Sequence, residues 1–156
     1  MDFVSWVENS ALGIWMIDSI WGYPIVLSAH AVGMSIVVGT VLMIDLRVLG
    51  LAGDAPLASF RNMFWVTWFG VFLNFTSGVA LFASDPAKFL VHPAFWIKIA
   101  LMLVGVLSHV LLWNSLSVNS HGQGESGKVK NLAIFSLLLW VGVIIAGRVI
   151  GYIEID

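Results

Sequence analysis

The chain has 156 residues, of which 60% are hydrophobic and 10% charged, with a net charge of -2 and no cysteine. Soluble domains carry about 25% charged residues, so this chain cannot cover a water-facing surface. That excludes a soluble globular domain, a nucleic-acid binder and a disordered tail, and the missing cysteines exclude disulfides, thiolate catalysis, iron–sulfur clusters and cysteine-type zinc sites.

The first segment places Phe3, Val4, Val7, Leu12, Ile14, Trp15, Ile17 and Ile20 among Asp2, Glu8, Asn9 and Asp18. This pattern predicts a short helix over about 3–20. It lies at the membrane interface with Trp6, Trp15 and Trp21 at headgroup depth, or it caps the helices that follow. No Lys or Arg precedes Arg47, and Glu8 and Asp18 interrupt the segment, so it is not expected to be a cleavable signal peptide.

A bilayer-spanning helix needs about 20 mainly apolar residues. Ser19 to Ile44, Asn62 to Ser84 and Ile99 to Gly124 contain no charge, and Asn131 to Ile153 is broken only by Arg148. Transmembrane helices are predicted at about 23–46, 62–84, 94–117 and 131–153. The fold expected is all-α: an antiparallel four-helix membrane bundle with a short N-terminal interfacial helix, one domain over residues 1–156. Pro24 and Pro93 suit first helical turns. Gly50, Gly53 and Pro56 end the first span, and the stretch from Asn119 to Gly127 reads as a polar loop.

Arg47 and Arg61 flank the first connection and Lys128 and Lys130 the third, whereas the second has Lys88 alone. The excess of basic residues puts those two loops in the cytoplasm of a bacterial inner membrane and both termini outside.

The second span divides at helical spacing. Thr67, Gly70, Asn74, Ser77 and Gly78 fall on one side, and Trp65, Trp68, Phe69, Phe72 and Phe75 on the other. Small and polar residues favour helix contacts in lipid, so the aromatic side is expected to face lipid or a partner protein. Ala29 and Gly33 form a further small-residue pair in the first span.

Ionisable groups at membrane depth are expensive unless paired, which makes each a candidate. They are His30, Lys98, His109 and Arg148, with His92 at the boundary. His30 shares a face with Gly33, Met34, Val37 and Val41, and it reads as a haem ligand or as a histidine bonded to a neighbouring helix. Lys98 and His109 are close to three turns apart with Met102 and Gly105 between them, which suggests an inward polar seam, although Lys98 can also snorkel. By depth, His30, Lys98 and Arg148 converge near the outer face. One imidazole and two cations suit a haem with its two carboxylates, a small anionic substrate or a quinone; a purely structural network is the alternative. The depths of His30 and His109 differ by roughly 9 to 13 Å, so separate sites suit them better than one bis-histidine clamp. Asp45-Leu-Arg47 predicts a local ion pair or interface anchor, with proton uptake at Asp45 the lesser reading. His121 lies in the polar loop and carries no assignment.

Several motifs run along the chain: Trp6-x-Glu8, Ser19-x-Trp21-x-Tyr23-Pro24, His30-xx-Gly33, Gly39, Asp45-Leu-Arg47-x-Leu49-Gly50, Phe95-xx-Lys98 and Gly147-Arg148-x-Ile150-x-Tyr152. Together they resemble an uncharacterised bacterial family of four-helix inner-membrane proteins, a domain of unknown function. That resemblance covers nearly the whole chain and implies a fold but no activity. A weaker likeness extends to the copper-resistance D-type membrane domains and to the bacterial four-helix protoporphyrinogen oxidase, which binds haem b. His30 and the set Trp96, Lys98 and His109 are similar to that enzyme's helix-one and helix-three residues. This implies haem or substrate roles for the two histidines and an essential Lys98.

The function expected is b-type haem binding for electron transfer or redox chemistry near the outer face. His30 is the axial ligand, Lys98 and Arg148 neutralise propionates, and His109 or His92 is the second ligand. The alternatives are a non-catalytic accessory or assembly subunit of a membrane complex, docking through the aromatic side of the second span and the N-terminal helix, and a small-solute or ion transporter. A protoporphyrinogen oxidase-like enzyme is a further one. The partners expected are the lipid bilayer and a complex subunit or redox partner, with no nucleic acid.

Overall fold

The structure, a computed structural model, describes residues 2–52, 60–118 and 127–152. Among them are helices α1 (Phe3–Glu8), α2 (Ala11–Asp18), α3 (Gly22–Val48), α4 (Arg61–Ser84), α5 (Pro86–Val91), α6 (Pro93–Val118) and α7 (Gly127–Tyr152), and no strand. Helices α3, α4, α6 and α7 are long and apolar enough to cross a bilayer, so the chain is a multi-pass membrane protein. Gly53, Pro56, His121 and most of the expected polar loop lie outside the described residues.

Local signals set the helix ends. Gly50 has φ 81°, the sole positive φ among the described residues. With it, the Gly50 N–H donates to the Arg47 carbonyl at 3.0 Å and the Leu51 N–H to the Leu46 carbonyl at 2.9 Å. This paired closure satisfies the last carbonyls of α3 where a residue with a Cβ is disfavoured. Helix α7 starts at Gly127, earlier than the apolar pattern suggests, because Lys128, Val129 and Lys130 contain no helix breaker.

The N-terminal segment is two helices rather than one. The break falls at Asn9-Ser10, where the Ser10 hydroxyl accepts the Gly13 N–H at 3.1 Å and caps α2. Val7 and Met16 are buried while Trp6 and Trp21 are exposed. A Cβ on Gly13 would stand 3.0 Å from the Ala83 carbonyl, so α2 rests directly on the end of α4. The segment therefore caps the bundle while leaving tryptophans outside. Helix α5 lies in what reads as a plain connection. Its signal is Asp85-Pro86: the carboxylate accepts the Lys88 N–H at 3.0 Å, and the proline occupies the first turn. Stacked and tilted contacts among Phe82, Phe89 and Phe95 tie α4, α5 and α6 together there. This is the cap end of the bundle; the other, where α3 and α6 finish, is the basic end.

In lipid no hydrophobic force drives helix against helix, so close backbone approach and polar contacts hold the bundle. Helix α3 packs along α4, and α6 along α7, and the two hairpins join mainly through α3 and α7. A Cβ on Gly33 would meet the Asn74 backbone nitrogen at 2.8 Å, and one on Gly70 would meet Ile36 and Val37 side chains at 2.8 and 2.9 Å. The Thr40 and Thr67 hydroxyls, 2.8 Å apart, add a buried polar contact on the same seam. Thr67, Asn74 and Ser77 are buried, whereas Trp65 and Phe72 are 71% and 65% exposed, which is the division expected from helical spacing.

Replacing Gly33 by alanine forces backbone apart. Thermal unfolding in detergent is expected to show a loss of about 1–3 kcal/mol for Gly33→Ala. Gly39→Ala, with nothing near its Cβ position, is expected to be neutral or slightly stabilising.

Candidate functional site

Nearest the cap end, His30 of α3 and Lys98 of α6 meet. Lys98 Nζ lies 3.1 Å from His30 Nε2. His30 Nδ1 lies 3.1 Å from both the Asn74 backbone carbonyl and the Ser77 hydroxyl of α4. A carbonyl only accepts, so Nδ1 carries the proton and donates. In the neutral ring Nε2 then keeps its lone pair and accepts from Lys98. Asn74 returns the contact, its side-chain amide donating to the His30 carbonyl at 3.0 Å. Glycines make room for this geometry: a Cβ on Gly78 would stand 3.4 Å from His30 Cε1, and one on Gly147 would stand 3.5 Å from Lys98 Nζ. Four helices thus converge on one imidazole–amine pair.

Lys98 does not snorkel. It turns inward, and its polar contact is the imidazole of His30 rather than a carboxylate. A cation at that depth without an anion is costly, so the pair is poised for an electron-rich ligand.

Directly beyond the pair, one turn along α3 and α6, Met34 and Met102 begin an apolar cleft of about 320 Å³. Asn74 is its polar lining group, and Trp140 of α7 also lines it. The cleft lies between α4 and α6 and opens past Phe75, Leu103 and Leu107, all exposed to the bilayer side. Toward the basic end, α4 and α6 meet again through Phe64, whose ring stacks on Trp113 at 4.8 Å and on His109 at 6.0 Å. The result is a pocket that opens sideways between the helices, apolar except at Asn74 and Trp140, with the His30–Lys98 pair one turn beyond its lining. Its volume falls at the lower end of small-molecule sites.

The other expected site residues lie elsewhere. Arg148 follows Gly147, yet it points away from Lys98 and is exposed, its Cζ 5.1 Å above the Tyr152 ring. It does not converge with His30 and Lys98, because neighbouring residues on a helix leave about 100° apart and Gly147 takes the inward direction. His92 is 2% exposed, and its Nδ1 accepts the Ala94 N–H at 3.2 Å, which caps the start of α6. His109 lies about 16 Å along α6 from Lys98. It lines no part of the cleft, and its ring nitrogens are buried without hydrogen-bond partners. His30 and His109 therefore do not face one another across a single cofactor. Among the described residues no three His, Asp or Glu side chains gather as a metal site.

Asp45 corrects an expectation. It makes no ion pair with Arg47; it is fully buried, and both carboxylate oxygens lack a hydrogen-bond partner. Residues two apart on a helix face opposite sides, so Asp45 turns into the core while Arg47, half-buried, leaves the helix in another direction. The participation of Asn74, Ser77 and Gly78 in the His30 site was signalled by the polar side of the second span; their pairing with His30 was not.

The fold and site define a polytopic α-helical membrane protein with a half-buried histidine–lysine pair one helical turn from a lateral apolar cleft. Over residues 3–153 the chain matches a family of unknown function, DUF6644, and it belongs to that family. No curated protein and no solved structure matches it, so the weaker likenesses to the copper-resistance domains and the haem-binding oxidase rest on the quoted residues alone.

Removing the Asn74 amide leaves the His30 carbonyl without that donor. Asn74→Ala is expected to destabilise the detergent-solubilised protein by about 1–2 kcal/mol. Ser35→Ala, at an exposed serine that bonds only within its own helix, is expected to change stability little; equal effects would show that the network contributes nothing to stability.

Proposed function

We propose that this protein binds a lipid-soluble redox carrier of the quinone class, with the ring oxygen at Lys98 and the apolar body in the cleft between α4 and α6. The observation that carries the reading is the Lys98 Nζ–His30 Nε2 contact of 3.1 Å, one turn from an apolar pocket, with no carboxylate partner for the lysine among the described residues. A quinone oxygen accepts hydrogen bonds, and it gains negative charge on reduction. A preorganised ammonium stabilises that charge strongly in a water-poor site. His30 holds the lysine amine in place and is itself fixed by α4. The reaction class is electron transfer through a membrane-dissolved carrier.

Binding of b-type haem is the second reading, and one observation favours it. Histidines that ligate metals commonly donate their other ring N–H to a carbonyl, as His30 does to Asn74. His30 Nε2 would then face the iron once Lys98 had moved to a propionate, and the haem would supply one-electron chemistry. The excess of basic residues in two loops supports a topology with the basic end in the cytoplasm of a bacterial inner membrane, which would put the His30–Lys98 pair nearer the outer face.

The test is the purified protein in detergent, examined by oxidised and dithionite-reduced spectra, a pyridine haemochrome assay and organic extraction. Titration with a short-chain quinone follows. The expected result is no haem signal and saturable quinone binding that Lys98→Met weakens by about tenfold or more, the scale of one charge-assisted hydrogen bond, while Arg148→Ala leaves it unchanged. A Soret band with sharp reduced bands, lost in His30→Ala, replaces the quinone reading by the haem one. No haem together with quinone affinity indifferent to Lys98 overturns both.

A further inference from the structure

A second polar group lies buried nearer the basic end, sharing only Trp140 with the cleft. Asp45 of α3, His109 of α6, and Ser136 and Trp140 of α7 are 0%, 3%, 0% and 4% exposed. The two carboxylate oxygens, both imidazole nitrogens, the Ser136 hydroxyl and the Trp140 indole nitrogen all lack hydrogen-bond partners. Buried polar groups are almost always satisfied, by protein or by ordered water. Six such atoms on four residues are too many to be independent accidents of packing.

They share one layer. The Cβ position of Gly105 faces Trp140, 3.4 Å from the indole nitrogen, and that of Gly142 faces Leu101 at 3.1 Å, which fixes the antiparallel register of α6 and α7. One turn further in that register, His109 comes level with Ser136. Residues 105, 109 and 112 lie on one face of α6, and Leu112 packs with Ile44 and Ala133 in a single apolar cluster. The Ser136 hydroxyl is the polar group facing the Asp45 carboxyl, short of a well-formed hydrogen bond. Val41 with Trp140 closes the layer on one side, and Ile44 with Ala133 on the other.

We infer that Asp45, His109, Ser136 and Trp140 form an internal water-bridged site that holds one exchangeable proton. The mix of groups fits water better than a metal: the indole and one imidazole nitrogen donate, the carboxyl and the other imidazole nitrogen accept, and the hydroxyl does both. A bound water makes about three such bonds. The proton count follows from charge. A net charge in this apolar layer is expensive, and the carboxyl–imidazole pair is neutral only when it shares one proton, as acid plus neutral ring or as carboxylate plus imidazolium. Transfer between the two through water moves that proton without creating net charge.

The other charged groups on elements packed around Asp45 stand at the basic end: Arg47 on α3, Arg61 opening α4, and Lys128 and Lys130 opening α7. Neither carboxylate oxygen has Arg47, Lys128 or Lys130 as a hydrogen-bond partner. Asp45 lies one turn from the end of α3 at Val48, so exchange with the aqueous phase at that end crosses about 5 Å of helix. Asp45, His109 and Ser136 lie outside the lining of the cleft, so the proton count does not rest on what binds at Lys98.

Infrared spectra of the full-length protein in lipid nanodiscs, together with nitrogen NMR of isotope-labelled histidine, count the proton. At neutral pH one of two signatures is expected: a carboxylic-acid carbonyl band lost in Asp45→Asn, or an imidazolium signal lost in His109→Gln. Transfer into deuterated buffer is expected to shift whichever is present, and Ser136→Ala is expected to move its frequency. Both signatures together, neither, or a signature that never exchanges with deuterium overturns the inference. Asp45→Asn is isosteric, and the count in the unaltered protein stands if that variant fails to fold.

Discussion

Inside a bilayer no water is at hand to satisfy a polar side chain, so each one must find its partner within the bundle. That constraint organises this molecule. Helices α3 and α4 press close enough at Gly33 and Gly70 to exclude any larger residue, and the polar contacts on their seam, Thr40 with Thr67 and Asn74 with His30, are made where the backbones are nearest. The aromatic residues of α4, with no polar atoms to hide except the indoles, are left on the outside.

The same constraint separates two polar layers of opposite character. In the layer near the cap end every hydrogen-bonding position of His30 is used: its Nδ1, its Nε2 and its backbone carbonyl all have partners. The excess there is one of charge, a lysine without an anion among the described residues. In the layer nearer the basic end the groups lack hydrogen bonds altogether. The first arrangement is rigid and suits a ligand that brings electron density. The second is incomplete without small polar molecules and suits water. The apolar cleft begins one turn from the histidine–lysine pair and takes Trp140 of the second layer into its lining.

Helices α1, α2 and α5 serve the site indirectly. By packing α2 on the end of α4 and α5 against Phe82 and Phe95, the cap holds the end of α4 and the start of α6 together. The two spans then separate below it, which is where the cleft opens. Tryptophans at the cap, Trp6 and Trp21, keep their rings exposed at a depth suited to headgroups.

The membrane class, the spans and the inward side of α4 were legible in the residues alone, because hydropathy and helical spacing are properties of one helix at a time. So was the candidacy of His30, Lys98 and His109, since an ionisable residue in an apolar run stands out whatever its neighbours do. Pairing is a property of two helices, and the tertiary structure decided it. It brought Lys98 to His30 and turned Arg148 away toward Tyr152, although all three have similar depth. It split the N-terminal segment at Ser10, where a side-chain cap competes with helix continuation. It also turned Asp45 into the core rather than toward Arg47. Depth along a helix follows from counting residues, but direction around it relative to a neighbour follows from how the helices pack. A chemical site needs both.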